Sequence, residues 1–101
     1  MSIKSFKTNT ARDIFLGDNT KAARKIARTA WPSASHRLQI LNMAARLSDV
    51  AQTPGVRLEP IKHSKPGFYS LRVNNQYRIT FRFEDGNAYD VNVEDPLWHQ
   101  P

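Results

Sequence analysis

The sequence predicts an α+β fold, N-terminal helices packed on one face of a small antiparallel β-sheet, from three observations. Up to about residue 47, apolar residues recur at helical spacing between capping and stop residues. From Tyr69 onward, apolar and polar residues alternate with period two and are punctuated by Asn74-Asn75 and Asp85-Gly86. The chain of 101 residues, 40% of them apolar, suffices for one core and is too short for two, so a single domain over 1–101 is expected.

Thr10-Ala-Arg-Asp-Ile-Phe-Leu reads as a first short helix, with Thr10 as N-cap, Asp13 three residues on, and Gly17 as its stop. Asn19 or Thr20 then caps a second helix over Lys21 to Arg28, interrupted at Trp31-Pro32. Proline disfavours helical geometry at Trp31 and suits the first turn of a new helix, placing a third segment from Ser33 to about Leu47. Leu38, Leu41, Ala45 and Ser48 mark one stripe of it, which Ile40, Met43, Ala44 and Leu47 widen. Asp49 to Gly55 is a polar connector ending in a Pro-Gly turn. Val56 to Glu59 reads as a short strand before Pro60.

In the three strands that follow, Tyr69, Leu71 and Val73, then Tyr77, Ile79, Phe81 and Phe83, then Tyr89, Val91 and Val93 share the core side. The opposite face then carries Ser70, Arg72, Arg78, Thr80, Arg82, Glu84, Asp90, Asn92 and Glu94. Three arginines share it, and Arg78 and Arg82 stand roughly 13 Å apart at about 3.3 Å per residue, a spacing that suits two phosphates of one strand. Cross-strand pairing of Arg72, Arg78 and Arg82 with Asp90, Glu84 or Glu94 is the alternative. On either reading Arg78 is a solvated side chain whose removal spares the fold.

The net charge is +6 and unevenly spread: residues 1–48 carry nine Lys/Arg against Asp13 and Asp18, while 49–101 carry six against seven acids. Such an excess attracts polyanions at long range. The chain lacks cysteine, which removes disulfide and thiolate-zinc scaffolds. It shows no signal-peptide run and no stretch of about 18 apolar residues, so a soluble cytoplasmic protein with no membrane partner is expected. No Gly-rich phosphate loop, His-Glu-x-x-His or Gly-x-Ser-x-Gly motif is present. The loop Lys62-His63-Ser64-Lys65-Pro66-Gly67 is either an exposed turn or a phosphate clamp, with Lys62 or Lys65 balancing transition-state charge. His63, His99 and His36 supply imidazoles, the side-chain type suited to proton transfer near neutrality, and His36 falls on a helix.

Ile3-Lys-Ser-Phe, Phe15-x-Gly, Pro54-Gly-x-Arg-Leu-Glu-x-Ile-Lys62, Gly67-Phe-Tyr-Ser-Leu-Arg-Val73, Gln76-Tyr-Arg-Ile-Thr-Phe81 and Asp85-Gly-x-Ala-Tyr-x-Val91 together resemble the HigB-type toxins of the RelE/ParE superfamily. The resemblance runs nearly end to end and is most specific from Gly67 to Tyr89, with Tyr77 where the family usually has Trp. It implies a RelE-like fold and a metal-independent endoribonuclease needing no cofactor, which cleaves mRNA in the ribosomal A site by 2′-hydroxyl attack on the adjacent phosphate. It also implies a HigA-type helix-turn-helix antitoxin as partner in a hetero-oligomer. On this resemblance Arg78 and Lys62 are phosphate and transition-state binders. Glu59 is a base or only a surface carboxylate, and Asp95 aligns with the family's terminal acid. The family closes with Asp-Tyr-His, whereas this chain reads Asp95-Pro-Leu-Trp-His99. Trp98 and His99 take the Tyr and His places if Pro96-Leu97 bulges out, His99 then acting as general acid, with His63 the substitute. Arg72, Arg82, His63, Lys65 and Trp98 complete the implied RNA-binding set. A gyrase poison like ParE, and an inactive relative that binds RNA or an antitoxin, are the other readings.

Overall fold

The computed structural model describes residues 3–61 and 67–95. The element order is helix α1 (Asn9–Leu16), two 3-10 turns (Ala23–Lys25 and Arg28–Ala30), helices α2 (Trp31–Met43) and α3 (Leu47–Ala51), then strands β1 (Glu59–Ile61), β2 (Phe68–Arg72), β3 (Arg78–Glu84) and β4 (Asn87–Glu94). The strands form one antiparallel meander in the order β1-β2-β3-β4. The α+β arrangement read from the sequence, helices on one face of a small antiparallel sheet, is the one observed.

Helix α1 begins two residues earlier than the sequence reading. Thr8, extended at φ −133°, is the N-cap, and its hydroxyl accepts the Ala11 N–H, while Gly17 ends the helix in the left-handed region at φ +80°. Thr10 instead donates its hydroxyl to the Ala22 carbonyl at 2.7 Å. The expected helix over Lys21–Arg28 is replaced by the two 3-10 turns, although Thr20 does cap the first by accepting the Ala23 N–H. Tertiary bonds take the backbone groups a helix would need: the Tyr77 hydroxyl accepts the Ala27 N–H, and the Trp31 indole donates to the Ile26 carbonyl. Short helices are marginal without tertiary support, so these bonds decide the outcome.

Pro32 lies in the first turn of α2, as read, but α2 includes Trp31 and stops at Met43. Ala44 is extended, and the Asp49 carboxylate accepts the N–H groups of both Ala45 and Arg46, starting α3 at Leu47, from where it runs into the expected polar connector. The buried stripe of α2 is accordingly narrower: Ala34, Leu38 and Leu41 face the sheet, and Met43, Ala45 and Ser48 are exposed.

The apolar rows of the sheet are Tyr69 with Phe81, and Leu71 with Ile79 and Val93, packed against Ala11, Ile14, Ala34, Leu38 and Leu41. The Asp85-Gly86 hairpin is as expected, both residues having positive φ (51° and 78°). The β2–β3 connection is longer than two residues, its geometry fixed by the Asn74 side chain, which accepts from the N–H groups of Gln76 and Tyr77. The first strand lies at Glu59–Ile61 rather than Val56–Glu59, because Arg57 takes a left-handed conformation at φ 46° and breaks the extended run.

Two features were not legible. Residues 3 to 7 run parallel along the outer edge of β4, through Ile3–Ala88 and Phe6–Val91 bridges, and cover an otherwise open sheet edge. The β3–β4 register also slips: Thr80 faces Asn92, but Arg82 faces Tyr89, so Phe81 is opposed by both Asp90 and Val91. This bulge turns Ala88 into the core, fully buried opposite Phe83, and moves Tyr89 to the face opposite the one its alternation predicts. Asp90 adopts φ 52°, and its freed N–H donates to the Ser5 hydroxyl at 2.8 Å.

Ser5→Ala should therefore leave the bulge N–H without its partner and cost about 1–3 kcal/mol in denaturant unfolding; an unchanged midpoint would show that water replaces the hydroxyl. A second expectation concerns Asp13, whose carboxylate accepts from Thr20 at 2.6 Å and from Arg12. The Thr20 hydrogen bond, opposed by burial and helped by Arg12, holds this carboxyl below its ordinary value of 3.8. The resulting stability is present in full above that value and is lost as pH falls through the lowered folded value. Asp13→Asn should be less stable than wild type near neutrality, and the gap should close on acidification toward about pH 2, read from urea midpoints across the range.

Candidate nucleic-acid interface

Strand pairing arranges the face away from the helices in rows. Glu59, Ser70, Thr80 and Asn92 stand abreast at its centre, with Arg72, Arg78 and Glu94 on one side and Phe68, Arg82 and Tyr89 on the other. Ser70 and Thr80 are buried, so the short hydroxyl side chains form a floor between the two longer rows. A hydrogen-bond chain ties this floor to the helices: the Thr8 hydroxyl donates to Asn92 Oδ1 at 2.7 Å, and Asn92 Nδ2 and the Thr80 hydroxyl donate to Glu94 Oε2 at 3.3 and 2.5 Å.

Arg78 is not the solvated side chain the alternation suggested. It is 3% exposed, set mid-face between Arg72 and Glu94. Its Nη2 donates at 2.9 Å to the Arg57 carbonyl, which the left-handed backbone at Arg57 turns toward it. Its Nε is buried with no hydrogen-bond partner among the described residues. Burial pushes the Arg78 guanidinium below the usual arginine range; Glu59 opposes that shift, and the neighbouring Arg57 and Arg72 cations add to it. An arginine starts so far above neutrality that it stays charged. The structure thus brings Arg57, Arg72 and Arg78 together with Glu59, and Glu94 stands opposite Arg78 on the next strand, around an Nε with no hydrogen-bond partner among the described residues. That combination suits an oxyanion: a phosphate oxygen would complete the guanidinium and offset the mutual repulsion.

Asp95 lies one residue past Glu94, exposed, and accepts from Gln76 Nε2 at 3.3 Å. Arg72 donates to Asn75 Oδ1. Arg82 stands at the other end of the face and does have carboxylate partners, Glu84 and Asp90, the latter at 3.7 Å. For this arginine the cross-strand pairing alternative is the observed one. Lys62, His63, Lys65, Trp98 and His99 lie outside the described residues.

Sequence reasoning missed two contributors. Arg57 was assigned to a strand; no local signal marks its positive φ. Tyr89 was placed in the core, and the only hint otherwise is that Asp90 belongs to the residue types that tolerate left-handed geometry. The remaining positive charge lies on the 3-10 segment, where Lys21, Arg24, Lys25 and Arg28 are all exposed and have no carboxylate partner among the described residues. A shallow groove of about 460 Å³, lined by Thr8, Asn9, Lys25, Ile26, Asn92 and Val93, leads from this segment to the end of β4. Asn92 belongs to both the groove and the face.

The sequence that builds this fold and this face is similar to that of known proteins. The profile of the RelE-like toxin of type II toxin-antitoxin system HigB matches residues 4–96. The chain belongs to the HigB-like toxin family. Toxin HigB-1 of Vibrio cholerae is 32% identical over 77 residues, covering 76% of this chain and 81% of that one. Endoribonuclease HigB of Proteus vulgaris is 36% identical over 59 residues, 58% of this chain and 63% of that protein. This HigB-like chain is thus a toxin of the type II toxin–antitoxin class, with the RelE-like fold its sequence resembled.

Arg78→Met should reveal what the buried charge costs. Replacing it by an apolar side chain of similar length removes an orphan donor and a repelled cation, so unfolding free energy should be unchanged or higher by about 1–4 kcal/mol. A clear loss of stability in denaturant melts would mean that Arg78 is a structural strut.

Proposed function

We propose that this HigB-like toxin is a ribosome-dependent endoribonuclease that cuts mRNA during translation and is restrained in a hetero-oligomer by a helix-turn-helix antitoxin of HigA type. The observation that carries the reading is the buried, incompletely bonded Arg78 guanidinium among Arg57, Arg72 and Glu59. The name of the Proteus vulgaris relative, an endoribonuclease, supports the same reaction class.

In this proposal the ribose 2′-hydroxyl attacks the adjacent phosphorus, the bond to the 5′-oxygen breaks, and the products are a 2′,3′-cyclic phosphate and a 5′-hydroxyl. Arg78 and Lys62 hold the phosphate oxygens and balance the charge that builds on them. Glu59, which stands abreast of Ser70 at the edge of the face, takes the 2′-hydroxyl proton in this reading, and Asp95 and His99 serve the leaving oxygen. Arg72, His63, Lys65 and Trp98 steady the RNA, Trp98 by stacking. The step is metal-independent, driven by positioning and charge. The exposed cations of Lys21, Arg24, Lys25 and Arg28, without carboxylate partners among the described residues, favour a polyanion as large as a ribosome.

Induced expression in bacteria should arrest growth and leave mRNAs cut within translated codons with 5′-hydroxyl ends. Arg78→Met should lower the cleavage rate in a reconstituted translating system by a factor of at least about 100, the scale of losing one transition-state donor. Toxicity with intact mRNA, and above all gyrase-linked DNA breaks, would overturn the proposal in favour of a ParE-like poison; binding without toxicity would favour an inactive relative.

A further inference from the structure

Arg82 and Tyr89 sit on the same face as Arg78 but do not share its chemistry. The Arg82 guanidinium lies over the Tyr89 ring, 4.6 Å from its centroid, with one edge toward Asp90 and the other bonded to Glu84. Among the described residues, two carboxylates against one cation leave this end of the face net negative, and the exposed Asp85 in the adjoining hairpin adds to it. A phosphate is disfavoured there. What remains is a planar, charge-compensated guanidinium, its side chain 37% exposed, held over an aromatic ring with carboxylates at its edge. Such a plane stacks on nucleobases.

The bulge is the second observation. Without it Tyr89 would follow Val91 and Val93 into the core, and Ala88 would face outward. The chain adopts a left-handed Asp90 and assigns Ser5 to the freed N–H, and the result is an aromatic ring beside Arg82, with Phe68 across the sheet from both. Bulges commonly re-aim a side chain next to a site.

We infer that Arg82 and Tyr89 form a nucleobase-stacking platform on which one base of the RNA strand lies against the guanidinium plane. The inference rests on the nuclease reading for its ligand and goes beyond it in assigning Arg82 a base instead of a phosphate and in recruiting Tyr89. Arg78 and Arg82 are four residues apart on β3, about 13 Å, so the stacked base belongs to a nucleotide beyond the one whose phosphate Arg78 holds. The platform would set how the message is positioned, tolerant of base identity yet requiring a base.

The test uses the full chain and ribosomes programmed with a short mRNA. Arg82→Lys keeps the charge and loses the plane; Tyr89→Leu keeps bulk and loses the ring. Each should raise the toxin concentration for half-maximal cleavage about tenfold, the scale of one lost base stack, with the maximal rate changed by less than about twofold. An abasic site walked through the message should reproduce that loss at one position in the wild type, and at that position Arg82→Lys should show no further loss. Arg82→Lys with wild-type half-maximal concentration, a flat abasic scan, or an effect confined to the maximal rate would each overturn the platform. Should the wild type not cleave at all, the nuclease reading fails separately. Direct binding of a short single-stranded RNA carrying 2-aminopurine then decides: quenching that disappears in Arg82→Lys upholds the platform, and quenching absent from the wild type or unchanged in the variant overturns it.

Discussion

β3 is the strand on which both halves of the molecule depend, because it is paired on both sides and its two faces meet opposite demands. Ile79, Phe81 and Phe83 turn toward the helices and supply the centre of the core, while Arg78, Thr80 and Arg82 turn away from it. A slip of one residue would bury two arginines under the helices and expose two phenylalanines, so the apolar face fixes the register to which the polar face is bound. Arg78 is held in place by packing it does not itself make. That explains how a charged side chain with one hydrogen bond to the protein and an orphan Nε can be kept at 3% exposure: core packing on the reverse of the strand supplies the free energy that its own contacts do not.

The N-terminal segment extends this logic to the sheet edge. By pairing along β4 it covers an edge strand, and through Ser5 it supplies the acceptor for the bulge N–H. A few residues on, Thr8 caps α1 and reaches Asn92 with the same hydroxyl, linking the start of the helical layer to the polar floor. One short stretch of chain therefore sets the edge, the bulge and the helix cap together. Changes there should be felt on the far face, though no residue of the stretch belongs to it.

The layer architecture, the Asp85-Gly86 turn, the Gly17 stop and the central apolar alternation were legible because each is written in local residue choice. Helix extents between Lys21 and Ala51 were not, since the Tyr77 hydroxyl, the Trp31 indole and the Asp49 carboxylate compete for backbone groups from a distance or in a geometry that spacing does not reveal. Within the site, the placing of Arg72, Arg78 and Arg82 on one face followed from period two. The burial of Arg78 did not, because it depends on a left-handed Arg57 in a segment that reads as plain strand. Tyr89 was misplaced for a related reason: alternation carries through a strand only until a bulge adds a residue, and the partner of this bulge lies 85 residues away, at Ser5.

The two ends of the polar face are electrostatically unlike, and that difference bears on how one strand of RNA can lie across it. Among the described residues, Arg57, Arg72 and Arg78 cluster with Glu59 and Glu94 at one end, whereas at the other Arg82 is a lone cation between the carboxylates of Glu84 and Asp90. A uniformly basic face would hold a polyanion in many registers, since every phosphate is equivalent to it. A face that attracts phosphate at one end and repels it at the other cannot be slid along. On the proposed reading the backbone is drawn to Arg78 and a base enters at Arg82, so the charge asymmetry selects the phase of the strand. If the proposed cleavage of messages during translation holds, that asymmetry matters more than additional affinity, because binding strength shared equally by all registers does nothing to select among them.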